Sequence, residues 1–188
     1  IELLQHAAPN TPLMIGYNLR FCLGYQKVEE LLKSKVIGAI WQADFEVGQY
    51  LPDWRPLIPY QNSVSATREL GGGCLLELSH ELDMAVGLFN IRSLLTSCVL
   101  KNNKILKMDC ENQAKIIAEV NSGIQQAPFL LNVNLNMLQK RVSRQVRICG
   151  EFGELNWDLI KQKVHVWKFG EDVTEEFSFD VSQPANDF

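Results

Sequence analysis

Leu131-Asn132-Val133-Asn134-Leu135-Asn136-Met137 decides the fold, because apolar and polar residues alternate through it without a break. Successive side chains of a β-strand leave on opposite faces. A period of two therefore puts Leu131, Val133, Leu135 and Met137 on one side and the three asparagines on the other. A strand with one apolar and one polar face belongs to a sheet covered on one side and open on the other.

The same pattern extends both ways along the chain. Ala114, Ile116, Ala118 and Val120 alternate with Gln113, Lys115, Ile117 and Glu119. Val146 and Ile148 lead into a Gly150-Glu151-Phe152-Gly153 turn, then Leu155 and Trp157, and further strands are expected over Lys163–Phe169 and Glu175–Val181. Strands that begin at about Ser97 and follow one another through short turns predict an antiparallel meander. Upstream, Trp41, Ala43, Phe45 and Val47 alternate with Gln42, Asp44 and Glu46, which is again a strand. After Pro9 and Pro12, the apolar run Leu13–Leu19 reads as a short buried strand. Helices are expected over Ile1–Ala8, over Gly24–Ser34, where Tyr25, Val28, Leu31 and Leu32 recur at helical spacing, and over Leu75–Phe89. These helices supply the cover for one sheet face. The class is α+β, an open and mostly antiparallel sheet, and residues 1–188 form one domain.

Composition narrows the function. The chain has 188 residues, 46% of them hydrophobic, enough for a substantial core, and a formal charge of −4. Lys and Arg are scattered, which argues against a nucleic-acid or anionic-membrane surface. No apolar run is long enough to span a bilayer. Cys22, Cys74, Cys98, Cys110 and Cys149 are odd in number and irregular in spacing, so they read as reduced thiols of a cytoplasmic protein and not as disulfides or metal ligands. The sequence begins at Ile1 and stops at Phe188 without a closing element, which reads as a piece of something longer.

On the helix from Leu75, the residues Leu75, Leu78, Leu82, Val86 and Phe89 fall on one stripe, and Glu77, His80, Glu81 and Met84 on the other. If the apolar stripe faces the sheet, Glu77 and His80 project together from the far side, where a carboxylate can orient an imidazole as a proton shuttle. Gly71-Gly72-Gly73 leaves backbone N–H groups open to a ligand at the helix start. His6 and His165 read as structural or exposed. Residues 48–73 show no periodicity but carry Trp54, Arg55 and Arg68, and loops of that length are commonly functional. No Ser-His-Asp order, GxSxG, HExxH, P-loop or GxGxxG is present, so the chain holds no dinucleotide fold of its own.

Taken in order, Gly16-Tyr17-Asn18-Leu19-Arg20-Phe21, Glu46-Val47-Gly48-Gln49-Tyr50-Leu51-Pro52-Asp53-Trp54, Glu69 through Asp83 and Ile148-Cys149-Gly150-Glu151-Phe152-Gly153-Glu154-Leu155-Asn156-Trp157 form an ordered set. The set resembles the second domain of the glucose–fructose oxidoreductase/inositol dehydrogenase/rhizopine catabolism (Gfo/Idh/MocA) family. The resemblance implies a sheet like those of the C-terminal domains of dihydrodipicolinate reductase and glyceraldehyde-3-phosphate dehydrogenase. It also implies an N-terminal Rossmann domain, absent from this chain, that binds NAD or NADP and supplies a catalytic Lys from a Glu-Lys-Pro motif. The substrate would be a sugar, nucleotide sugar or polyol. His80 would relay the proton with Glu77, although Glu77 stands where Asp is commoner and His80 follows it by three positions, not four. Tyr17, Arg20, Gln49, Trp54, Arg55 and Arg68 would border the substrate cleft, and Gly72 and Gly73 would approach the cofactor. The rival is a non-catalytic module for carbohydrate binding or self-association. Under either reading, the asparagine ladder makes the open face a surface for a homodimer or homotetramer.

Overall fold

The structure is a computed structural model and describes residues 11–12, 14–171 and 174–180. Among the described residues eight strands follow in order: β1 (Ile40–Tyr50), β2 (Ile91–Lys101), β3 (Gln113–Ser122), β4 (Phe129–Asn136), β5 (Leu138–Gly150), β6 (Gly153–Asp158), β7 (Lys163–Lys168) and β8 (Thr174–Ser178). They form one sheet in the order β2-β3-β4-β1-β5-β6-β7-β8. Three helices precede or interrupt them: α1 (Leu23–Lys33), α2 (Cys74–Glu77) and α3 (His80–Phe89). The expected α+β class and open, mostly antiparallel sheet are both present. One pairing departs from the meander. β1 lies parallel to β4, with Phe45 opposite Val133, and antiparallel to β5, with Phe45 also opposite Val146.

The alternation read in the sequence is the burial pattern. Leu131, Val133 and Leu135 are buried while Asn132, Asn134 and Asn136 are half-buried on the other face. Ala43, Phe45, Val47, Ile148, Leu155 and Trp157 continue the apolar face across the sheet, under α1 and α3. Trp157 packs so closely on α1 that a Cβ at Gly24 would overlap its indole, which is why glycine stands there. The opposite face is charged as well as polar: Asn132 donates to Asp44 (2.7 Å), and Arg147 pairs with the same carboxylate at 3.1 Å. It is not the uncharged ladder that the asparagines alone predict.

Several boundaries differ from expectation. Within Leu13–Leu19 the described residues form no strand; a 3-10 turn runs over Asn18–Phe21 and buries Leu19. β2 starts at Ile91, directly after Asn90 takes a left-handed conformation (φ 47°) that ends α3, and not near Ser97. Residues 51–70, expected to lack structure, contain four short 3-10 turns. The Ile1–Ala8 helix, His6 and Val181 lie outside the described residues.

The expected helix Leu75–Phe89 is broken. α2 ends at Leu78 (φ −105°, ψ 29°), and α3 begins at His80. The break rotates α3 relative to a continuous helix. Its buried side carries Glu81, Met84, Ala85, Leu88 and Phe89, and Val86, expected on the core stripe, is 50% exposed. Glu81 is tolerated inside because Arg144 of β5 meets it there.

Candidate functional site

The C-terminal end of β1, the turn after it, the α2–α3 break and β5 enclose a cavity of about 480 Å³. Gln49, Trp54, Arg55, Glu77 and His80, all anticipated from the sequence, line it together. So do Tyr50, Asp53 and Arg144, which were not anticipated. The break at Leu78 brings Glu77 and His80 to one wall although they belong to two helices.

His80 is half-buried, with the ring of Tyr17 edge-on to it at 5.5 Å between centroids. Burial lowers the His80 pKa and the Arg144 charge lowers it further, with Asp83 opposing, so the imidazole is held toward its neutral form. Its Nδ1 is buried with no hydrogen-bond partner among the described residues. Trp54 Nε1, on the same cavity, is in the same condition. A neutral imidazole accepts a proton readily, which is the state a general base requires.

Glu77 does not orient His80 by a hydrogen bond. Its Oε2 accepts from the Ser65 hydroxyl, and Oε1 has no partner among the described residues. The carboxylate thus ties the turn at Val64–Ala66 to α2 and leaves one oxygen for a ligand.

Beneath the site, Glu81 and Arg144 form a bidentate pair with N···O distances of 2.6 and 3.2 Å. Their side chains are 1% and 4% exposed. Burial pushes the Glu81 carboxyl up, and the guanidinium beside it pulls the other way. The pair fixes α3, and hence His80, to the sheet. Sequence reasoning placed Glu81 on the outer face. Its spacing of three, four and seven from Met84, Ala85 and Leu88 was the signal that it shares their side.

The other anticipated residues lie elsewhere. Arg20 forks onto Asp83 of α3 at 2.6 and 2.7 Å, so its donors serve the fold. Tyr17 stacks behind His80 with its hydroxyl 3.4 Å from Ser79 and does not line the cavity. Arg68 is held at Asp109 through its backbone N–H (2.7 Å) and its side chain (3.3 Å). Gly72 and Gly73 are buried: a Cβ at Gly72 would overlap the Val64 carbonyl, and one at Gly73 the Glu111 carboxylate. The chain's own packing already accounts for their lack of side chains. A dinucleotide finds no strand–glycine–helix cradle among the described residues, and these residues by themselves do not fit it. No group of metal-ligating side chains occurs among them either, and no helix is long and apolar enough to cross a membrane.

Comparison with known proteins bears on the fold and the family. No curated protein matches by sequence. Among solved structures, an inositol dehydrogenase homologue complexed with NAD+ from Azotobacter vinelandii superposes with a TM-score of 0.76 at 12% identity, over 98% of this chain and 49% of that one. Gal80p from Saccharomyces cerevisiae, as a super-repressor mutant, gives 0.76 at 11% identity over 97% and 50%. UDP-N-acetylglucosamine 3-dehydrogenase from Acidithiobacillus ferrooxidans gives 0.71 at 15% identity over 98% and 53%. The chain spans about half the length of these structures. At these identities they establish the fold, while the family follows from the sequence itself. The family model described as GFO/IDH/MocA C-terminal domain matches residues 25–156, and the chain belongs to that family of oxidoreductase domains.

Proposed function

We propose that this chain is the substrate-binding half of an NAD- or NADP-dependent oxidoreductase that acts on a sugar, nucleotide sugar or polyol. The observation that carries the reading is the His80 cavity: a half-buried, neutral-leaning imidazole shares about 480 Å³ with hydrogen-bonding side chains suited to hydroxyls. Gln49 and the free oxygen of Glu77 hold substrate hydroxyls, and Arg55, which has no ion pair among the described residues, adds donors at the mouth. His80 accepts the proton of the hydroxyl being oxidised, and Tyr17 fixes the ring. A cofactor held outside these residues supplies the hydride chemistry. Similar structures are of complexes with NAD+ and, in one case, with NADH and myo-inositol. Arg20 and Tyr17 support the His80 helix and the His80 ring, and Arg68 is tied to Asp109 outside the cavity lining. The open sheet face is the surface through which copies form a homodimer or homotetramer, and the free cysteines suit the cytoplasm.

A second reading has its own support. One similar structure is named as a super-repressor, so this fold also occurs outside named dehydrogenases. A non-catalytic module would use the same cavity, or the open face, to bind a carbohydrate or another copy. The two readings part in a screen of the intact protein against sugars, nucleotide sugars and inositols with NAD and NADP. Reduction of either cofactor with one substrate class supports the enzyme. Saturable sugar binding without any reduction supports the module.

A further inference from the structure

A second cavity, of about 950 Å³, lies at the opposite end of β1. Ile40 lines it, whereas Gln49 and Tyr50 line the His80 cavity. From Ile40 to Gln49 the strand advances nine steps, about 30 Å at about 3.3 Å per residue. The sites share no lining residue.

The cavity has a fixed wall. The Gln125 side chain accepts from Ile40 N (2.7 Å) and donates to Ile40 O (3.0 Å) and Ala127 O (2.7 Å), which pins the β3–β4 turn to the first residue of β1. Ser122 lines it too; it is 7% exposed, and its hydroxyl has no partner among the described residues. Two cations stand at the rim, Lys35 and Arg92, neither in an ion pair among the described residues. Glu151 is the one acid there, so the rim is net positive.

Lys35 occupies an unusual position. It follows the end of α1 with φ 56°, and Lys35 N and Val36 N bond back to Leu32 O (3.0 Å) and Leu31 O (3.3 Å). This is the closing motif in which glycine is the usual residue, since a side chain there costs free energy. A lysine in that place keeps its charge over the cavity. Leu32, Ile124 and the 55%-exposed Phe152 add apolar surface.

We propose that this cavity binds a small organic oxyanion, a phosphate monoester or a carboxylate with a short apolar body. Arg92 and Lys35 take the charge, the turn pinned by Gln125 forms the wall, and Ile124 and Phe152 cover the body. Arg is suited to the planar or tetrahedral oxyanion as a fork, and Lys as a point charge. The site does not depend on the dehydrogenase reading, since it shares no residue with the His80 cavity.

The test is a nitrogen-15 NMR titration of the full chain at fixed ionic strength with phenyl phosphate, benzoate and, as a neutral counterpart, benzyl alcohol. Saturable shifts of the Ser122, Ile124 and Gln125 amides are expected with the anions and not with the alcohol. Tighter binding of phenyl phosphate identifies a phosphate monoester, and tighter binding of benzoate a carboxylate. Arg92→Gln and Lys35→Gly each weaken binding at least tenfold. Glycine suits the left-handed conformation at 35, so the second variant keeps the fold, and exposed Lys104→Gln leaves affinity unchanged. Absence of saturable shifts at those amides, or affinity that either cavity substitution leaves intact, overturns the proposal.

Discussion

Replacing Glu81 by Leu while Arg144 remains leaves a guanidinium that is 4% exposed without its carboxylate partner. The lost contacts are two charge-assisted hydrogen bonds at 2.6 and 3.2 Å. Breaking a buried pair from one side costs about 3–5 kcal/mol, because the remaining charge is largely withdrawn from water and does not easily neutralise. For a chain of this size each kcal/mol lowers Tm by about 2–4 °C, so the expected drop is about 6–20 °C. Arg144→Met alone strands the Glu81 carboxylate, which escapes part of its cost by taking a proton, so its loss is the smaller of the two. The double variant Glu81→Leu/Arg144→Met replaces both charges with apolar volume and lies within about 2 kcal/mol of the natural protein, or above it. Urea unfolding of the four proteins closes the cycle, with the coupling energy read from midpoints at constant slope. Additive single costs, or a Glu81→Leu loss under about 1 kcal/mol, would refute the idea that the two residues act as a coupled buried pair. The double variant also removes the Arg144 charge that depresses His80, so the His80 pKa rises in it when followed by NMR.

Other consequences are independent of that pair. The His80 pKa lies below its ordinary value of 6.5, so just below pH 6.5 the unfolded chain binds a proton that the folded chain does not. Stability is therefore fully present above pH 6.5, falls as pH drops toward the folded pKa, and loses that slope in His80→Gln, as measured by urea midpoints against pH. Gly24→Ala forces a methyl into the Trp157 indole and costs about 1–3 kcal/mol, seen as a lowered urea midpoint; an unchanged midpoint means the helix and ring are not in that contact. Among the cysteines, exposed Cys98 reacts first with iodoacetamide at neutral pH. Buried Cys74, pushed up to about 12, and Cys149, pushed up to about 11, wait for unfolding, and mass spectrometry of peptides distinguishes the order.

Much of the sheet was legible because a one-sided sheet writes its burial directly into alternate residues. Leu131 to Asn136 and Ala43 to Val47 are buried and half-buried in the order the alternation predicts. The start of β2 escaped because none of the described residues covers it: every residue from Arg92 to Lys101 is exposed, so its sequence carries no period. The α2–α3 break escaped for a different reason. Ser79 is a type that favours helix starts and stands at the N-cap of α3, but its side chain makes no cap bond; a long-range contact, Glu81 with Arg144, 63 positions apart, fixes the rotation of α3. That rotation overturned the stripe drawn on a continuous helix. The cavity residues were found in the sequence by their types and their places in loops, but loops do not reveal which arginine is already engaged. Arg20 and Arg68 are held by Asp83 and Asp109, whereas Arg55 is not, and only the distances tell them apart.

The proposal that His80 is the proton acceptor is tested most directly in the intact protein with its cofactor and the substrate found by screening. His80→Ala is predicted to lower kcat about 100-fold or more, with cofactor affinity unchanged by fluorescence titration and the acidic limb of the rate profile abolished. Turnover that survives the substitution, or that falls only in step with cofactor affinity, would contradict the assignment of this imidazole to the chemistry.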